Sequence, residues 1–248
     1  MSENFYPLPF LKNKSVVVLG LGNSGQTALQ AAKKAGAGEA LGVDDNVKSV
    51  QRVQSMGLPA TSSPEKAFIN DKTFVVVSPG VPTSYPRPHP ILTEGKAHQA
   101  TMTSDIDLFF INRPRGKVIG VSGTNGKSST VSLIYFILKH CGHDDTQLGG
   151  NIGTPILSLK PDSKHTVLEL SSYQIETSPH LNCDVSILLK IAPDHLDRYA
   201  TYDAYVKSKL RLLYPPGNVG RMFIKMSKKN FVDRHFFKLQ CWTKVINL

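Results

Sequence analysis

The sequence predicts an α/β protein built from two successive parallel β-sheets. Two glycine-rich loops, at residues 20–25 and 123–129, each follow a short β-branched run and precede a stretch with helical spacing. Strand-like runs also alternate with helical stretches in both halves of the chain, which is typical of parallel sheets covered by helices. We therefore expect two α/β units joined by a short linker.

The first sheet is expected within residues 1–111, as a Rossmann-like N-terminal domain. A β-branched run is followed by a helical stretch at residues 26–35 and by a second strand, which makes a β-α-β unit. The proline-dense stretch at residues 79–90 must be a loop, because proline fits neither helix interiors nor central strands. Strands are predicted at residues 15–19, 41–43 and 73–77.

The second sheet is expected within residues 112–214, as a P-loop-type α/β central domain that begins with a polar linker at residues 112–116. Strand-like runs again alternate with helical stretches. Strands are predicted at residues 118–122, 166–170 and 185–189, and helices at residues 128–140, 172–177 and 202–213.

Residues 215–248 differ in composition from the rest of the chain. They contain seven Lys and Arg residues against one acidic residue, and they have no clear helical or strand periodicity. We predict an aberrant lysine-rich tail, of the kind that a frameshift produces, and we expect it to be poorly ordered.

Charge and hydropathy argue against several classes of protein. The formal net charge is +10, of which the tail contributes +6, so the remaining 22 basic and 18 acidic residues leave an ordinary balance of +4. We therefore expect no nucleic-acid partner. No apolar run approaches the roughly 18 residues of a membrane span, and the three cysteines lack metal-ligand spacing. These features predict a soluble, cytoplasmic monomer with no membrane partner.

The loop at residues 123–129 predicts a phosphate-binding site. A strand, a glycine-containing loop and a helix start occur in that order, which aims backbone N–H groups at an anion. Lys127 is placed to reach the β- and γ-phosphates of ATP, and Ser128 is placed to bind Mg²⁺. The general P-loop pattern requires glycine where this chain has Val121, so the loop is a variant of that pattern. The predicted ATP-binding residues are Gly123, Thr124, Asn125, Gly126, Lys127, Ser128 and Ser129.

The glycine loop at residues 20–25 is compatible with two ligands. It fits the G-x-G-x-x-G pattern, and Asp44 lies 22 residues after Gly22, where dinucleotide-binding proteins place a ribose-binding acid. A UDP-sugar diphosphate satisfies the same loop, because the geometry selects only a pyrophosphate at a helix N-terminus. A structural role, in which the glycines permit a tight turn, is also open.

Several segments together resemble one family. The stretch 123–129 reads GTNGKSS, and the chain resembles the Mur ligase family over roughly residues 13–214. The sequence ELSSYQIE at residues 169–176 resembles the branch that adds D-glutamate to UDP-N-acetylmuramoyl-L-alanine. The resemblance implies that ATP phosphorylates the alanine carboxylate and that the amine of D-glutamate attacks this acyl phosphate, in peptidoglycan synthesis. The other segments that carry the resemblance are residues 20–25, 78–80, 149–153, 168–176 and 192–198.

The resemblance also implies which residues form the site, by matching position in the motifs. It gives catalytic roles to Lys127, His195 and Lys209. It implies two Mg²⁺ ions, held by Ser128, Glu169, His195 and a carbamylated Lys209. It assigns the precursor to Gly22, Asn23, Ser24, Asp44, Gly80, Asn151 and His195. For Glu169, a buried acid paired with a structural cation is the alternative.

Lys209 is unusual on residue pattern alone. It falls near the centre of an apolar stripe, from which Lys207 and Arg211 point away. Because burying a free ammonium is costly, the side chain must snorkel, pair with an acid, lose its proton or be modified. The resemblance implies carbamylation, and the structural alternative is a lysine stem on apolar surface with its head in water. The stripe consists of Tyr202, Tyr205, Val206, Leu210 and Leu213.

The chain departs from the family in length. We expect the family's C-terminal ligase domain to be absent and the central domain to be incomplete, since the match degrades from about Pro215. We expect a truncated ligase that keeps the precursor site and the phosphate loop but turns over poorly. The alternatives are a catalytically inactive nucleotide- or UDP-sugar-binding remnant, a folylpolyglutamate synthase and an NAD-dependent oxidoreductase.

Overall fold

Two parallel β-sheets, one in each half of the chain, organise the molecule. The computed structural model describes residues 5–214, 222–225 and 245–246. The first sheet has five strands and the second has six, and every strand pairing in both sheets is parallel. The α/β architecture expected from the sequence is confirmed.

The first sheet has the strand order β3-β2-β1-β4-β5. The chain moves from β1 outwards to β3 and then returns to place β4 on the other side of β1, so the connection reverses direction between β1 and β4. Open parallel sheets bind ligands at such a reversal, beyond the carboxyl ends of the strands. The elements are β1 (Ser15–Leu19), α1 (Asn23–Lys34), β2 (Glu39–Val43), α2 (Val47–Ser55), β3 (Ala60–Thr61), β4 (Thr73–Val77), α3 (Pro90–Ala97), β5 (Thr101–Thr103) and α4 (Asp105–Ile111).

The second sheet has the strand order β11-β10-β9-β6-β8-β7, with β6 between β8 and β9. The carboxyl ends of these strands lie at one edge, so the loops that follow β6, β7, β8 and β9 meet there. The elements are β6 (Lys117–Ser122), α5 (Lys127–His140), β7 (Thr146–Gly150), β8 (His165–Glu169), α6 (Ser172–Glu176), β9 (Val185–Leu188), α7 (Tyr202–Leu210), β10 (Met222–Lys225) and β11 (Val245–Ile246).

The structure contains elements that the sequence did not predict, namely α2, β3, α3, β5, α4 and β7, and it also differs at element ends and in the tail. Helix α3 begins at Pro90, the last residue of the predicted proline-dense loop, because proline is tolerated in the first turn of a helix. Helix α1 begins at Asn23 rather than at residue 26, and α7 ends at Leu210 rather than at residue 213. Strand β10 pairs with β9, although its sequence has no alternation that would indicate a strand. The prediction of poor order for the tail concerns residues that are, apart from β10 and β11, outside the described residues.

The two sheets share one interface. The N-terminal segment contributes Tyr6, which is 2 % exposed and whose backbone N–H donates to the Leu157 carbonyl at 2.7 Å. The Ser104 and Ser178 hydroxyls, one from each half, lie 2.8 Å apart and are buried. Apolar side chains of both halves form a single buried cluster around these contacts. None of the described helices is long and apolar enough to cross a membrane.

The close packing within the first glycine loop, residues 20–25, can be tested by substitution. A Cβ on Gly25 would lie 1.8 Å from the Gly20 carbonyl oxygen, whereas a Cβ on Gly22, which has a φ of −66°, meets nothing within 4 Å. Overpacking of this kind costs about 1–3 kcal/mol. We predict that Gly25→Ala lowers the free energy of unfolding by that amount in urea titrations. The matched control Gly22→Ala stays within about 0.5 kcal/mol of wild type, and equal effects of the two substitutions would contradict the packing.

Candidate functional site

The phosphate loop joins β6 to α5 in a conformation that glycine permits. Gly123 and Gly126 have φ values of 154° and 83°, a region that other residues rarely adopt. A Cβ on Gly123 would also lie 2.6 Å from the Leu189 Cβ. No side chain caps the N-terminus of α5, so its first N–H groups are available to an anion. The predicted strand, loop and helix are therefore confirmed, with an open helix N-terminus at their junction.

Lys127 folds back over this loop. Its Nζ donates to the carbonyl oxygens of Gly123 at 3.1 Å and Thr124 at 2.8 Å. Thr124 is itself fixed, because its hydroxyl accepts from the Ala192 N–H at 2.9 Å. The ammonium is thus held within the loop, where its charge can act on an anion at the helix N-terminus.

Glu169 is buried at the carboxyl end of β8, and two polar side chains hold it. It is 2 % exposed, its Oε2 accepts from the Ser128 hydroxyl at 2.7 Å, and its Oε1 accepts from Asn151 Nδ2 at 2.9 Å. Within residues 5–214, no cation forms the ion pair with this carboxylate that the alternative of a structural cation requires.

The Ser128 and Glu169 oxygens fit Mg²⁺. This ion binds proteins through one or two carboxylates and completes its shell with water and substrate phosphates. A hydroxyl and a carboxylate in contact, beside an open helix N-terminus, provide such a partial set of ligands. Among the described residues, no group of three or more His, Cys, Asp or Glu side chains is placed to hold a metal by itself. The ion would therefore depend on phosphate oxygens for the rest of its coordination.

Lys209 is buried in contact with the phosphate loop. It is 2 % exposed, its Nζ donates to the Gly123 carbonyl at 2.9 Å, and the ammonium lies 4.9 Å from the centre of the Tyr205 ring. Burial, followed by repulsion from Lys127, lowers the pKa of Lys209 to about 7, whereas Asp194 acts in the opposite direction. The predicted burial is confirmed, and the alternative of a lysine with its head in water is wrong.

His195 lies in the loop after β9 and takes part in an aromatic cluster. Its backbone has a φ of 54°, and its ring is centred 5.2 Å from Tyr173 and 5.9 Å from Tyr205. The ring Nε2 is 3.6 Å from Asp194 Oδ2, which is beyond hydrogen-bond distance. The Tyr205 ring also lies 4.9 Å from the Lys209 ammonium, so His195 and Lys209 pack against the same tyrosine.

The N-terminal loop at residues 20–25 also presents a helix N-terminus. Helix α1 begins at Asn23 and has no side-chain cap, so Gly22, Asn23 and Ser24 surround an open anion site. The Asp44 carboxylate accepts from the Leu21 N–H at 2.6 Å and so ties β2 to this loop. The Ser24 hydroxyl hydrogen-bonds to the Asp105 carboxyl group, whose pKa is raised by burial.

The loop after β4 lies directly on the glycine loop. The Ser78 hydroxyl donates to the Gly20 carbonyl at 2.7 Å, and a Cβ on Gly20 would lie 2.9 Å from Val81 Cγ2. This contact explains why glycine is required at position 20, where φ is 86°. Gly80 follows Ser78 by two residues in this loop, and its role as a substrate-binding residue stays a prediction.

Three residues of the site were missed as functional candidates. Tyr205 was assigned only to the apolar stripe, yet its hydroxyl lies 3.0 Å from the Thr124 hydroxyl of the phosphate loop. Its position four residues before Lys209 on one helix was the available signal. Asp105 had no local signal, because its contact joins distant parts of the chain. Arg198 lies in the segment 192–198 that carries the family resemblance, but that motif did not indicate its contact with the loop after β4.

A separate cavity of about 270 Å³ lies between the two halves of the chain. None of the predicted site residues lines it, so it is distinct from both anion sites. Its lining residues are Val77, Thr83, Leu92, Lys96, Met102, Thr103, Glu176, Thr177, Pro179 and Arg211.

The buried Lys209 should make the free energy of unfolding depend on pH. Because its pKa is about 7 when folded and 10.5 in its ordinary state, the unfolded chain binds the extra proton between these values, so stability rises with pH there. Relative to Lys209→Met in CO₂-free buffer, wild type should gain up to about 1.4 kcal/mol of unfolding free energy per pH unit. Lys207→Met, at an exposed position of the same helix, is the control. A difference that does not change from pH 7 to 10 would contradict a buried, neutral lysine.

A protein-family model matches the half of the chain that contains the second sheet. The model of the Mur ligase middle domain matches residues 121–243. The match includes the phosphate loop and Glu169, and it extends beyond residue 214, where sequence analysis placed the end of the resemblance. The tail therefore shares features with the family that its composition did not indicate.

Relatives align with most of the chain. A UDP-N-acetylmuramoylalanine–D-glutamate ligase from Brucella abortus (strain 2308) is 38 % identical over 256 residues, covering 93 % of this chain and 54 % of the relative. A ligase of the same name from Rhizobium etli is 41 % identical over 213 residues, covering 84 % of this chain and 45 % of the relative. The chain thus spans about half the length of the curated relatives it matches.

A solved structure supports the fold. UDP-N-acetylmuramate:L-alanyl-gamma-D-glutamyl-meso-diaminopimelate ligase from Neisseria meningitides superposes with a TM-score of 0.60 at 17 % identity, covering 94 % of this chain and 77 % of that structure. At this identity the likeness concerns the fold alone. The family model and the relatives show that the chain belongs to the Mur ligase family.

Proposed function

We propose that this chain carries the ATP- and precursor-binding part of a ligase that adds D-glutamate to UDP-N-acetylmuramoyl-L-alanine. The observation that carries the proposal is the buried Glu169 carboxylate, held by Ser128 and Asn151 beside the open N-terminus of α5. Relatives of this name align with nearly the whole chain, which supports the choice of substrates. An NAD-dependent oxidoreductase or a folylpolyglutamate synthase would leave these matches unexplained.

The proposed reaction has two steps. An oxygen of the alanine carboxylate attacks the γ-phosphorus of ATP, and ADP leaves, which gives an acyl phosphate. The amine of D-glutamate then attacks the acyl carbon, the amide bond forms, and inorganic phosphate leaves as the amine loses a proton. Charge accumulates on phosphoryl and acyl oxygens in both steps, so cations and helix N-termini supply most of the stabilisation.

The residues of the phosphate loop have distinct roles in this proposal. Lys127 and the first N–H groups of α5 neutralise the β- and γ-phosphates. Ser128 and Glu169 would hold Mg²⁺, and the ion would polarise the phosphoryl oxygens. The Ser128–Glu169 contact at 2.7 Å supports this assignment, because both oxygens already meet at one point.

We assign the precursor to loops of both sheets. Its diphosphate lies at the N-terminus of α1, near Gly22, Asn23 and Ser24, while Asp44 and Gly80 border the nucleoside. Asn151 and His195 extend from the second sheet towards the muramoyl part. The contact between the loop after β4 and the glycine loop supports a single substrate site there.

Lys209 is assigned a carbamylated state. The neutral amine attacks CO₂, a carbon–nitrogen bond forms, and one proton leaves to solvent, so that a neutral amine becomes an anion. The lowered pKa supports this step, because the neutral amine is well populated near pH 7. The carbamate, with His195, would hold the second Mg²⁺. We further propose that the protein is a cytoplasmic monomer.

Binding and turnover are separate parts of the proposal. We infer that the chain binds ATP and the precursor, and product formation is measured separately from binding. The alternative is a catalytically inactive remnant that binds the same nucleotides.

The experiment is a calorimetric titration of the chain with Mg-ATP, with UDP-N-acetylmuramoyl-L-alanine and with NAD, followed by a phosphate-release assay with D-glutamate. We expect binding of the first two ligands and not of NAD. Lys127→Ala should weaken Mg-ATP binding by about tenfold or more, because it removes a charged contact to phosphate. Lys139→Ala, at the other end of α5, is the control and should leave the affinity unchanged.

The outcomes separate the alternatives. Binding without phosphate release selects the inactive remnant, and release that requires D-glutamate selects the ligase. NAD binding, or no binding of either expected ligand, would contradict the proposed function.

A further inference from the structure

We propose that Arg198 is a positioning residue that clamps the loop after β4 to the loop after β9. The clamp would hold the precursor site of the first sheet and the phosphate loop of the second in one cleft. This inference rests on the proposed function for its role in binding, whereas the clamp itself rests on geometry alone.

The two sheets are joined at this point by a fork of hydrogen bonds. Arg198 Nη1 donates to the Gly80 carbonyl at 2.9 Å, and Nη2 donates to the Val81 carbonyl at 2.9 Å. The guanidinium is planar and presents two parallel donors, so it can satisfy two adjacent carbonyls at once. A contact of this kind fixes both the distance and the orientation of the loop that it grips.

Aromatic side chains from the same half of the chain as Arg198 hold the face of its guanidinium. Its centre lies 4.5 Å from the middle of the Tyr173 ring, in the geometry of a cation–π contact. Tyr173 stacks in turn on Tyr199, with ring centres 5.7 Å apart and planes inclined by 9°. The arginine is therefore braced by the second sheet while it grips the first.

The backbone of Arg198 also determines the position of His195. The N–H groups of Arg198 and Tyr199 both donate to the His195 carbonyl at 3.0 Å, in a tight turn. The His195 ring lies against Tyr173, the same ring that carries the guanidinium. A displacement of Arg198 would consequently move a residue that the proposed function places on the precursor.

The gripped loop is in contact with the anion site of α1. Gly80 and Val81 follow Ser78, whose hydroxyl donates to the Gly20 carbonyl. A pocket beside this contact, lined by residues of the loop, by Tyr173 and by Arg198, has a volume of about 10 Å³, about what a single water needs. The guanidinium donors are already used by the loop carbonyls, which favours a positioning role over direct contact of these donors with a substrate.

The experiment compares Arg198→Met and Arg198→Lys with wild type in the full chain. Arg211→Met is the matched control. Arg211 Nη1 also donates to a backbone carbonyl, that of Glu176, but both residues belong to the second half of the chain. The first readout is hydrogen exchange of the backbone amides of residues 78–83 without ligand. The second readout is the dissociation constant of UDP-N-acetylmuramoyl-L-alanine, and the third is that of Mg-ATP.

We expect Arg198→Met to raise exchange in residues 78–83 and to weaken precursor binding, each by about tenfold, because two charged hydrogen bonds are lost. Exchange in β1 and β6 and the affinity for Mg-ATP should stay within about twofold of wild type. Lysine should restore only part of the effect, since it lacks the planar fork. Arg211→Met should change none of these quantities.

Two results would overturn the clamp. Exchange in residues 78–83 that is the same in Arg198→Met and wild type would show that the arginine does not hold the loop. Full precursor affinity in Arg198→Lys, with that affinity lost in Arg198→Met, would indicate a simple charge contact with the substrate. If wild type bound neither ligand, the proposed function would fail, and hydrogen exchange alone would decide the role of Arg198.

Discussion

The site depends on two buried ionisable side chains that flank the phosphate loop without pairing with each other. Glu169 is neutralised by no cation in the described part of the chain, and Lys209 forms no ion pair there. Burial of unpaired charges is costly, so each group must be compensated in another way. Hydrogen bonds from Ser128 and Asn151 compensate Glu169, and deprotonation compensates Lys209. Both arrangements leave capacity for an additional partner, a cation for the carboxylate and CO₂ for the amine.

The parallel sheets make this arrangement possible. The phosphate loop follows β6, Glu169 ends β8, and Asn151 follows β7, so three adjacent strands deliver their ends to the same edge. The first sheet presents its own helix N-terminus at the corresponding edge. Arg198 and the buried Ser104–Ser178 contact then join the two halves, so that the two anion sites belong to one molecule with a fixed interface.

Local sequence patterns predicted those elements whose signals lie within a few consecutive residues. The strand, loop and helix around Lys127 could be predicted because glycine spacing and helical periodicity are read within a few residues. Lys209 could be predicted to be buried from its place in one helix. The contact between Arg198 and Gly80 could not, because 118 residues separate them and no local pattern encodes such a pairing. Strand β10 was missed because four residues without alternation give no periodic signal.

The most direct test of the account measures how Mg²⁺ changes ATP affinity in wild type and in Glu169→Gln. Glutamine keeps the shape of the side chain and can still accept from Ser128, but it removes the charge that attracts the ion. The account predicts that Mg²⁺ strengthens ATP binding to wild type by about tenfold or more, and that this gain is lost in Glu169→Gln. The same gain from Mg²⁺ in both proteins would contradict a magnesium site at Glu169.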